Sequence, residues 1–254
     1  MNLAQTLDAK LPARIAIVGG GGKSTAMFQL AHQIPGLVWA TTTTHLGTDQ
    51  LDYTDQHYII SEPEEIDLPR LKACKSTLIT GMFTPDYRLR GPDPEVMEDL
   101  LRIANMEGIS LVIEADGARS RPLKAPAEHE PVIPGWAKLV IVVVGLSALG
   151  KPINADWIYR PELFANLTGA KLGEPISMRQ ITKMLVQPEG GLKNIPSSAV
   201  KVALFNQADT PELRELAGDV VGELLAGVYD RVVIGAMQSA PDELEVFIRT
   251  KDQR

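Results

Sequence analysis

The sequence predicts an α/β fold with three layers, in which helices cover both faces of a doubly wound, mainly parallel sheet. Short β-branched runs alternate with longer segments of helical spacing, which is typical of chains that wind from strand to helix to strand. Several strand candidates are apolar throughout, as expected where both faces of a sheet are covered. The run 139–144 is the most apolar of them and is the candidate for the sheet centre.

The elements follow from these patterns in chain order. Strands are predicted at 14–18, 37–40, 57–60, 77–80, 111–114, 139–144, 200–205 and 231–234, and helices at 23–33, 94–106, 161–167, 178–185 and 211–225. The last helix has Thr210 as its N-cap and Pro211 at its first position. The segment 151–198 contains no clear strand and is rich in glycine and proline. We therefore predict one domain spanning 1–254, with a helical insertion at 151–198.

Composition narrows the class of function. The 254 residues carry a net charge of −7, which argues against a broad basic surface for nucleic acid or anionic membrane. The longest apolar run is far shorter than the roughly 20 residues of a membrane helix. The single Cys74 excludes an internal disulfide and a metal site built from several thiolates, and it fits a reducing compartment. The sequence predicts a cytoplasmic protein whose partners are small molecules or other proteins.

A glycine run between the first strand and the first helix is the most informative motif. It consists of Gly19, Gly20, Gly21 and Gly22, followed by Lys23, Ser24 and Thr25. Glycines allow consecutive backbone N–H groups to surround an anion, and the helix N-terminus adds partial positive charge. We expect Lys23 to reach the β and γ phosphates of ATP or GTP, Ser24 to ligate Mg²⁺, and Thr25 to lie near the α-phosphate.

The motif leaves two alternatives open. The full phosphate-loop pattern has a glycine five residues before Gly22, where this chain has Ile17. A dinucleotide-binding loop would need a glycine at Ser24 and an acid where Ala40 and Thr41 stand. A turn that serves only tight strand-to-helix packing would not account for Lys23. The intact Gly-Lys-Ser-Thr favours a sheet of the P-loop NTPase type.

Two carboxylates end the predicted strand at 111–114. Glu114 and Asp116 are two residues apart, so on a strand they would face the same side. We predict that Asp116 binds Mg²⁺ and that Glu114 orients or deprotonates an attacking water. Together with Lys23 they form the predicted catalytic set.

Polar side chains at two other strand ends complete the predicted nucleotide site. Thr42 and Thr43 are expected to contact Mg²⁺, its waters or the γ-phosphate, although β-propensity alone also explains a threonine run. Asn206 and Asp209 are spaced as in the Asn-Lys-x-Asp base-reading motif of GTPases, with Gln207 in place of lysine. Asp209 would accept hydrogen bonds from guanine. Because Asn and Asp are also turn formers, the choice between ATP and GTP stays open.

These segments together resemble the YqeC family of P-loop proteins. The resemblance rests on 18–25, 41–45, 114–118 and 206–209, and above all on Arg-Pro-Leu-Lys-Ala-Pro-Ala-Glu-His-Glu-Pro-Val-Ile-Pro at 121–134. It implies a nucleotide-binding accessory protein that assists the maturation or selenation of a molybdenum-cofactor hydroxylase. The implied partners are the hydroxylase or the proteins that mature its cofactor.

The segment after Asp116 also has a physical interpretation. It carries charged side chains between prolines that stiffen the loop, and such groups suit an anionic second substrate or a partner surface. The candidate second-substrate residues are Arg119, Arg121, Lys124, His129 and Glu130. A solvated loop is the alternative.

Three functions remain open from the sequence. The first is a Mg²⁺-dependent nucleoside triphosphate hydrolase or switch. The second is a phosphotransferase or nucleotidyltransferase acting on a small anionic acceptor. The third is a non-enzymatic scaffold that docks a hydroxylase subunit.

Overall fold

The computed structural model describes residues 1–250, and its centre is a nine-stranded sheet within that range. The strands of the described residues are β1 (Arg14–Gly19), β2 (Val38–Thr42), β3 (His45–Leu46), β4 (Gln56–Ile59), β5 (Ser76–Thr80), β6 (Leu89–Arg90), β7 (Ser110–Glu114), β8 (Leu123–Lys124), β9 (Leu139–Gly145), β10 (Ile158–Tyr159), β11 (Val200–Asn206), β12 (Arg231–Ile234) and β13 (Glu245–Ile248).

The α-helices are α1 (Leu3–Leu7), α2 (Lys23–Gln33), α3 (Leu68–Leu71), α4 (Pro94–Glu107), α5 (Pro161–Thr168), α6 (Met178–Val186), α7 (Pro211–Gly218) and α8 (Val221–Gly227). Short 3₁₀ turns lie at Thr48–Tyr53, Pro63–Glu65 and Leu146–Ala148. No helix within residues 1–250 combines the length and the apolar character that crossing a membrane would require.

The strand order of the large sheet is β13-β12-β11-β9-β1-β7-β2-β5-β4. Neighbouring strands run parallel except for β12 and β13, which are antiparallel. The predicted mainly parallel α/β sheet is therefore confirmed. The chain crosses from β7 to β9 over β1, so β1 lies where the order of strands reverses. In open α/β sheets, ligands bind at the carboxyl ends of the strands at such a point.

Helices cover both faces of the sheet because alternate residues of a strand point to opposite sides. On β1, Ile15 and Ile17 pack with buried residues of α1 and α2, whereas Ala16 and Val18 belong to a cluster with residues of α5, α6 and α8. Leu111 of β7 packs against α4. The strand β9 is buried along its whole length, as its apolar run predicts, but the middle strand of the sheet is its neighbour β1.

Two predicted elements differ from the structure. The helix predicted at 211–225 is broken into α7 and α8, since Gly218 disfavours a continuous helix and the break lets Ala217 and Leu224 both reach one core cluster. Its predicted start is correct, because the Thr210 side chain accepts the N–H of Leu213 at 3.4 Å. The segment 151–198 contains α5 and α6 as expected, but also β10, which pairs with β8.

Candidate functional site

The glycine run joins β1 to α2 at the carboxyl edge of the sheet. Gly21 has φ +78° and Gly22, the N-cap of α2, has φ +124°, a region in which other residues are strained. A Cβ on Gly21 would lie 2.5 Å from the Gly145 Cα atom, so the loop also requires close backbone approach. Both requirements explain why glycine is present at these positions.

Three amides of the glycine run have acceptors within the protein. The N–H groups of Gly20 and Gly21 donate to the carbonyls of Val143 (2.9 Å) and Arg121 (3.0 Å), and so hold the loop in place. Gly19 N–H donates to Asp116 Oδ2 at 3.1 Å. In this structure these three amides therefore donate to acceptors within the protein, and the contact of the glycine run with an anion stays a prediction.

The remaining donors belong to the first turn of α2. The first intrahelical bond runs from Ala26 N–H to the Gly22 carbonyl at 2.9 Å. The amides of Lys23, Ser24 and Thr25 consequently have no intrahelical acceptor. They are the backbone groups that can meet an anion at this edge of the sheet.

Lys23 lies between the two carboxylates that the sequence placed in the site. Its Nζ is 3.5 Å from Glu114 Oε1 and 3.4 Å from Asp116 Oδ1, and it donates to the Gly19 carbonyl at 3.0 Å. Ser24 Oγ donates to Glu114 Oε2 at 2.7 Å. Burial alone would lower the pKa of Lys23, but the charges of Glu114 and Asp116 outweigh burial and raise it. Lys23 is therefore a buried cation held by two anions.

A second buried lysine continues this arrangement. Lys124 Nζ lies 3.1 Å from Asp116 Oδ2 and 2.8 Å from Glu130 Oε2, and it donates to the Gly117 carbonyl at 2.6 Å. Arg160 donates to both oxygens of Glu130, at 2.6 and 3.1 Å. We call the six side chains Lys23, Glu114, Asp116, Lys124, Glu130 and Arg160 the ion cluster.

Lys124 and Glu130, two of the predicted second-substrate residues, form ion pairs inside the protein, and Glu130 also lines the cavity of about 470 Å³ described below. The Lys124 side chain is only 1% exposed, and both residues use their charges on partners inside the protein. Burial of charge is tolerated when it is paired, so their place in the ion cluster accounts for both residues. Arg160 was not predicted from the sequence, because β10, which carries the neighbouring Tyr159, is only two residues long.

Glu130 makes the stability of the fold depend on pH. Burial would raise its pKa, but hydrogen bonds from Arg160 and Lys124 outweigh burial and lower it from 4.5 to about 2. Its charge therefore stabilises the fold above pH 4.5, and this contribution is lost as the pH falls towards about 2. We expect Glu130→Gln to be less stable than wild type at pH 7 and to lose less stability on acidification.

Urea denaturation midpoints measured across this pH range would check that expectation. The exposed Glu215 offers a matched control, since Glu215→Gln should follow the wild-type curve. If Glu130→Gln lost stability in parallel with wild type below pH 4.5, the assigned pKa would be wrong.

The other strand-end residues mainly position the backbone. Thr42 Oγ1 donates to the Glu114 carbonyl at 3.0 Å, and Thr43 Oγ1 donates to the Val132 carbonyl at 3.2 Å. Asn206 uses both ends of its amide, donating to the Gly21 carbonyl at 2.7 Å and accepting from Met237 N–H at 2.9 Å. Asn206 thus ties the glycine run to the loop after β12.

A cleft of about 650 Å³ lies over the first turn of α2. Lys23 and Glu114 line it together with three arginines, Arg88, Arg119 and Arg121. Arg121 is also held by the Ala155 carbonyl at 2.6 Å. A cleft with these cations and free amides is suited to an anionic ligand.

A smaller cavity of about 470 Å³ shares Arg88 and Arg119 with this cleft. Thr43, His129 and Tyr159 line its far part, and the Arg119 guanidinium lies 5.4 Å from the centre of the Tyr159 ring. Arg119 and Ser120 both have positive φ, +48° and +59°, a strain that is often found at functional sites. Of the candidate second-substrate residues, the structure brings Arg119, His129 and Glu130 together in this cavity.

The fold and site define an α/β protein with a glycine loop at the carboxyl edge of a parallel sheet and a buried acidic pair on the neighbouring strand. The model of the YqeC protein family matches residues 15–162, which is more than half of the chain. The chain belongs to the YqeC family, as its motifs predicted. It is similar to "Uncharacterized protein YqeC" of Escherichia coli (strain K12), with 28% identity over 245 residues that cover 94% of this chain and 93% of that protein. No solved structure matches the chain.

Proposed function

We propose that this protein is a Mg²⁺-dependent nucleotide-binding protein of the P-loop NTPase type. It hydrolyses ATP or GTP, or it acts as a switch controlled by one of these nucleotides. The observation that supports this most is the position of Lys23 and the free first-turn amides of α2. Lys23 and these amides line the cleft of about 650 Å³. Lys23 also lies beside Glu114, which belongs to β7, the strand next to β1. Phosphate groups are bound at helix N-termini of this kind.

The proposed roles follow from the contacts. The amides of α2 bind the phosphate oxygens, and Lys23 supplies a positive charge that is already desolvated. Glu114 orients a water molecule and takes its proton, while Arg119 faces the same cleft from the opposite segment of chain. Catalysis of phosphoryl transfer is mostly positioning and charge neutralisation, and these groups would contribute to both together with Mg²⁺.

The oxygen atoms at the site fit Mg²⁺. Within residues 1–250 no group of three or more His, Cys, Asp and Glu side chains could hold a metal, so the ion would also need phosphate or water oxygens. Asp116 Oδ1 is buried without a hydrogen bond, with the Lys23 ammonium 3.4 Å away, and Ser24 lines the cleft. Ser24 and Asp116 would hold the ion, which neutralises phosphate charge when bound.

A thermal-shift titration tests the proposal. ATP and GTP, each with and without Mg²⁺, are expected to raise the melting temperature, because a ligand at a hundred times its Kd stabilises the native state by about 2.7 kcal/mol. Non-hydrolysable analogues should act similarly, and adenosine, which lacks phosphate, should have no comparable effect. If neither nucleotide stabilises the protein at millimolar concentration, the proposal is wrong.

The smaller cavity favours a transferase as the second candidate function. Arg119 and His129 would bind a small anionic acceptor there, beside the proposed phosphate site. Product analysis separates the two candidates. A hydrolase releases phosphate without an acceptor, whereas a transferase turns over only when one is supplied.

The proposed biological role is that of a cytoplasmic accessory protein for a molybdenum hydroxylase or the proteins that mature its cofactor. The family resemblance carried by 121–134 supports this role. If this protein docks its partner without nucleotide turnover, the two proteins should still co-purify after Lys23 is replaced.

A further inference from the structure

A third cavity, of about 680 Å³, lies along the flank of α2. It shares Ser24, Thr25, Asp49 and Gln50 with the cleft over the first turn of α2, so the two spaces adjoin. Ligand pockets in proteins typically enclose 300–1,000 Å³, so this cavity alone has room for part of a small organic ligand.

Two aromatic rings form one wall of this cavity. Phe28 of α2 and Tyr53 of the 3₁₀ turn have ring centres 5.3 Å apart, at an angle of 34°. Phe28 is buried, whereas Tyr53 is 57% exposed. The Tyr53 carbonyl is 2.9 Å from His32 Nε2, which fixes the backbone that carries the ring. An exposed and positioned ring beside a phosphate site is suited to stacking on a flat base.

Two buried acceptors of the same cavity lack partners. Gln29 donates its Nε2 to the Met237 carbonyl at 2.6 Å, but its Oε1 is buried without a hydrogen bond. Gln50 Oε1 is also buried and unpartnered. A buried acceptor without a donor is costly, so a side-chain rotation that turned these oxygens towards the cavity would let a ligand's N–H groups satisfy them. The exocyclic amine of adenine and the N1 and N2 groups of guanine are such donors.

The base-reading residues predicted from the sequence, Asn206 and Asp209, make hydrogen bonds within the protein. Both ends of the Asn206 amide are bonded to backbone, and Asp209 Oδ1 accepts the Ser239 hydroxyl at 2.6 Å. Neither residue lines the cavity beside α2.

We infer that the cavity lined by Phe28, Gln29 and Tyr53 binds the purine base of a nucleotide whose phosphates lie at the first turn of α2. This base site rests on the proposed function, because the phosphate site fixes where the base can reach. Asn206 then has a positioning role, since it ties the glycine run to Met237 and hence to the cavity wall.

Calorimetric titration with ATP, GTP and inorganic tripolyphosphate, each with Mg²⁺, tests the base site. Tripolyphosphate has no base, so it reports on the phosphate site alone. For Tyr53→Ala we expect about tenfold weaker binding of ATP, GTP or both, because base stacking on an aromatic ring contributes on that scale, and unchanged binding of tripolyphosphate. Tyr53→Phe should retain the wild-type affinities.

A matched control is Tyr87→Ala, because Tyr87 is 81% exposed and does not line this cavity. It should bind all three compounds as wild type does. The base site is overturned if Tyr53→Ala leaves nucleotide binding unchanged, or if it weakens tripolyphosphate equally. It is also overturned if Asp209→Ala, rather than Tyr53→Ala, selectively weakens GTP. If wild type binds none of the three compounds, the proposed function fails and the base site fails with it.

Discussion

Replacement of Lys23 by alanine is expected to weaken the binding of ATP and GTP by between tenfold and about a hundredfold. Hydrogen bonds to a charged group contribute about 1.5–3 kcal/mol, and each 1.4 kcal/mol changes a dissociation constant tenfold. Lys23 is already buried beside Glu114 and Asp116, so no further desolvation of the ammonium opposes its contact with phosphate. Isothermal titration calorimetry with Mg²⁺ present would measure the change.

The variant also leaves two carboxylates without their shared cation, so its folding must be checked separately. Circular dichroism and the melting temperature without ligand would establish that Lys23→Ala is folded at the temperature of the titration. Lys171→Ala, which removes an exposed lysine from the segment between α5 and α6, is the matched control and should bind as wild type. Wild-type affinity in a folded Lys23→Ala protein would refute the phosphate site at the glycine loop.

Replacement of Lys124 by methionine is expected to lower the free energy of unfolding by about 3–5 kcal/mol. Removing one partner of a buried ion pair leaves the other charge buried and uncompensated, which costs this much. Here the change would leave the three carboxylates of the ion cluster with only two cations, Lys23 and Arg160, and would remove the donor to the Gly117 carbonyl. Urea denaturation followed by circular dichroism would measure the difference.

Two further variants make this experiment specific. Arg102 and Asp99 form an exposed ion pair at 2.9 Å on α4, so Arg102→Ala should cost no more than about 1 kcal/mol. The double variant Lys124→Met with Glu130→Gln should be more stable than the sum of the two single changes predicts, because the two side chains are in contact. A Lys124→Met protein within 1 kcal/mol of wild type would mean that water, and not Lys124, compensates these carboxylates.

Patterns that extend over many residues predicted the fold well. The apolar run of β9 predicted a fully buried strand, which lies next to the middle strand β1, and the Thr210-Pro211 pair predicted the start of α7. Elements of two residues, such as β8 and β10, cannot show a period and were missed. The break between α7 and α8 depends on the contacts that both helices make with the core. The spacing of residues along the chain does not show those contacts.

The sequence predicted those parts of the candidate site whose residues are brought together by the register of the sheet. Ile17 of β1 pairs with Glu114 of β7, so the residues just after β1 and the acids of β7 necessarily meet. Burial was harder to predict, since nothing in the residues around Lys124 distinguishes a lysine inside the protein from one on a loop. The aromatic wall at Tyr53 was also missed, because it forms only when a distant 3₁₀ turn packs on α2.

The ion cluster has a consequence for electroneutrality. Its three cations and three carboxylates, which run from Lys23 to Arg160, sum to zero charge. An anion that attracts Lys23 therefore leaves Glu114 and Asp116 with a negative excess in a site from which water is largely excluded. The arginines of the cleft or a cation bound with the ligand would compensate this excess, so we expect a polyanion to bind more tightly together with a cation than alone.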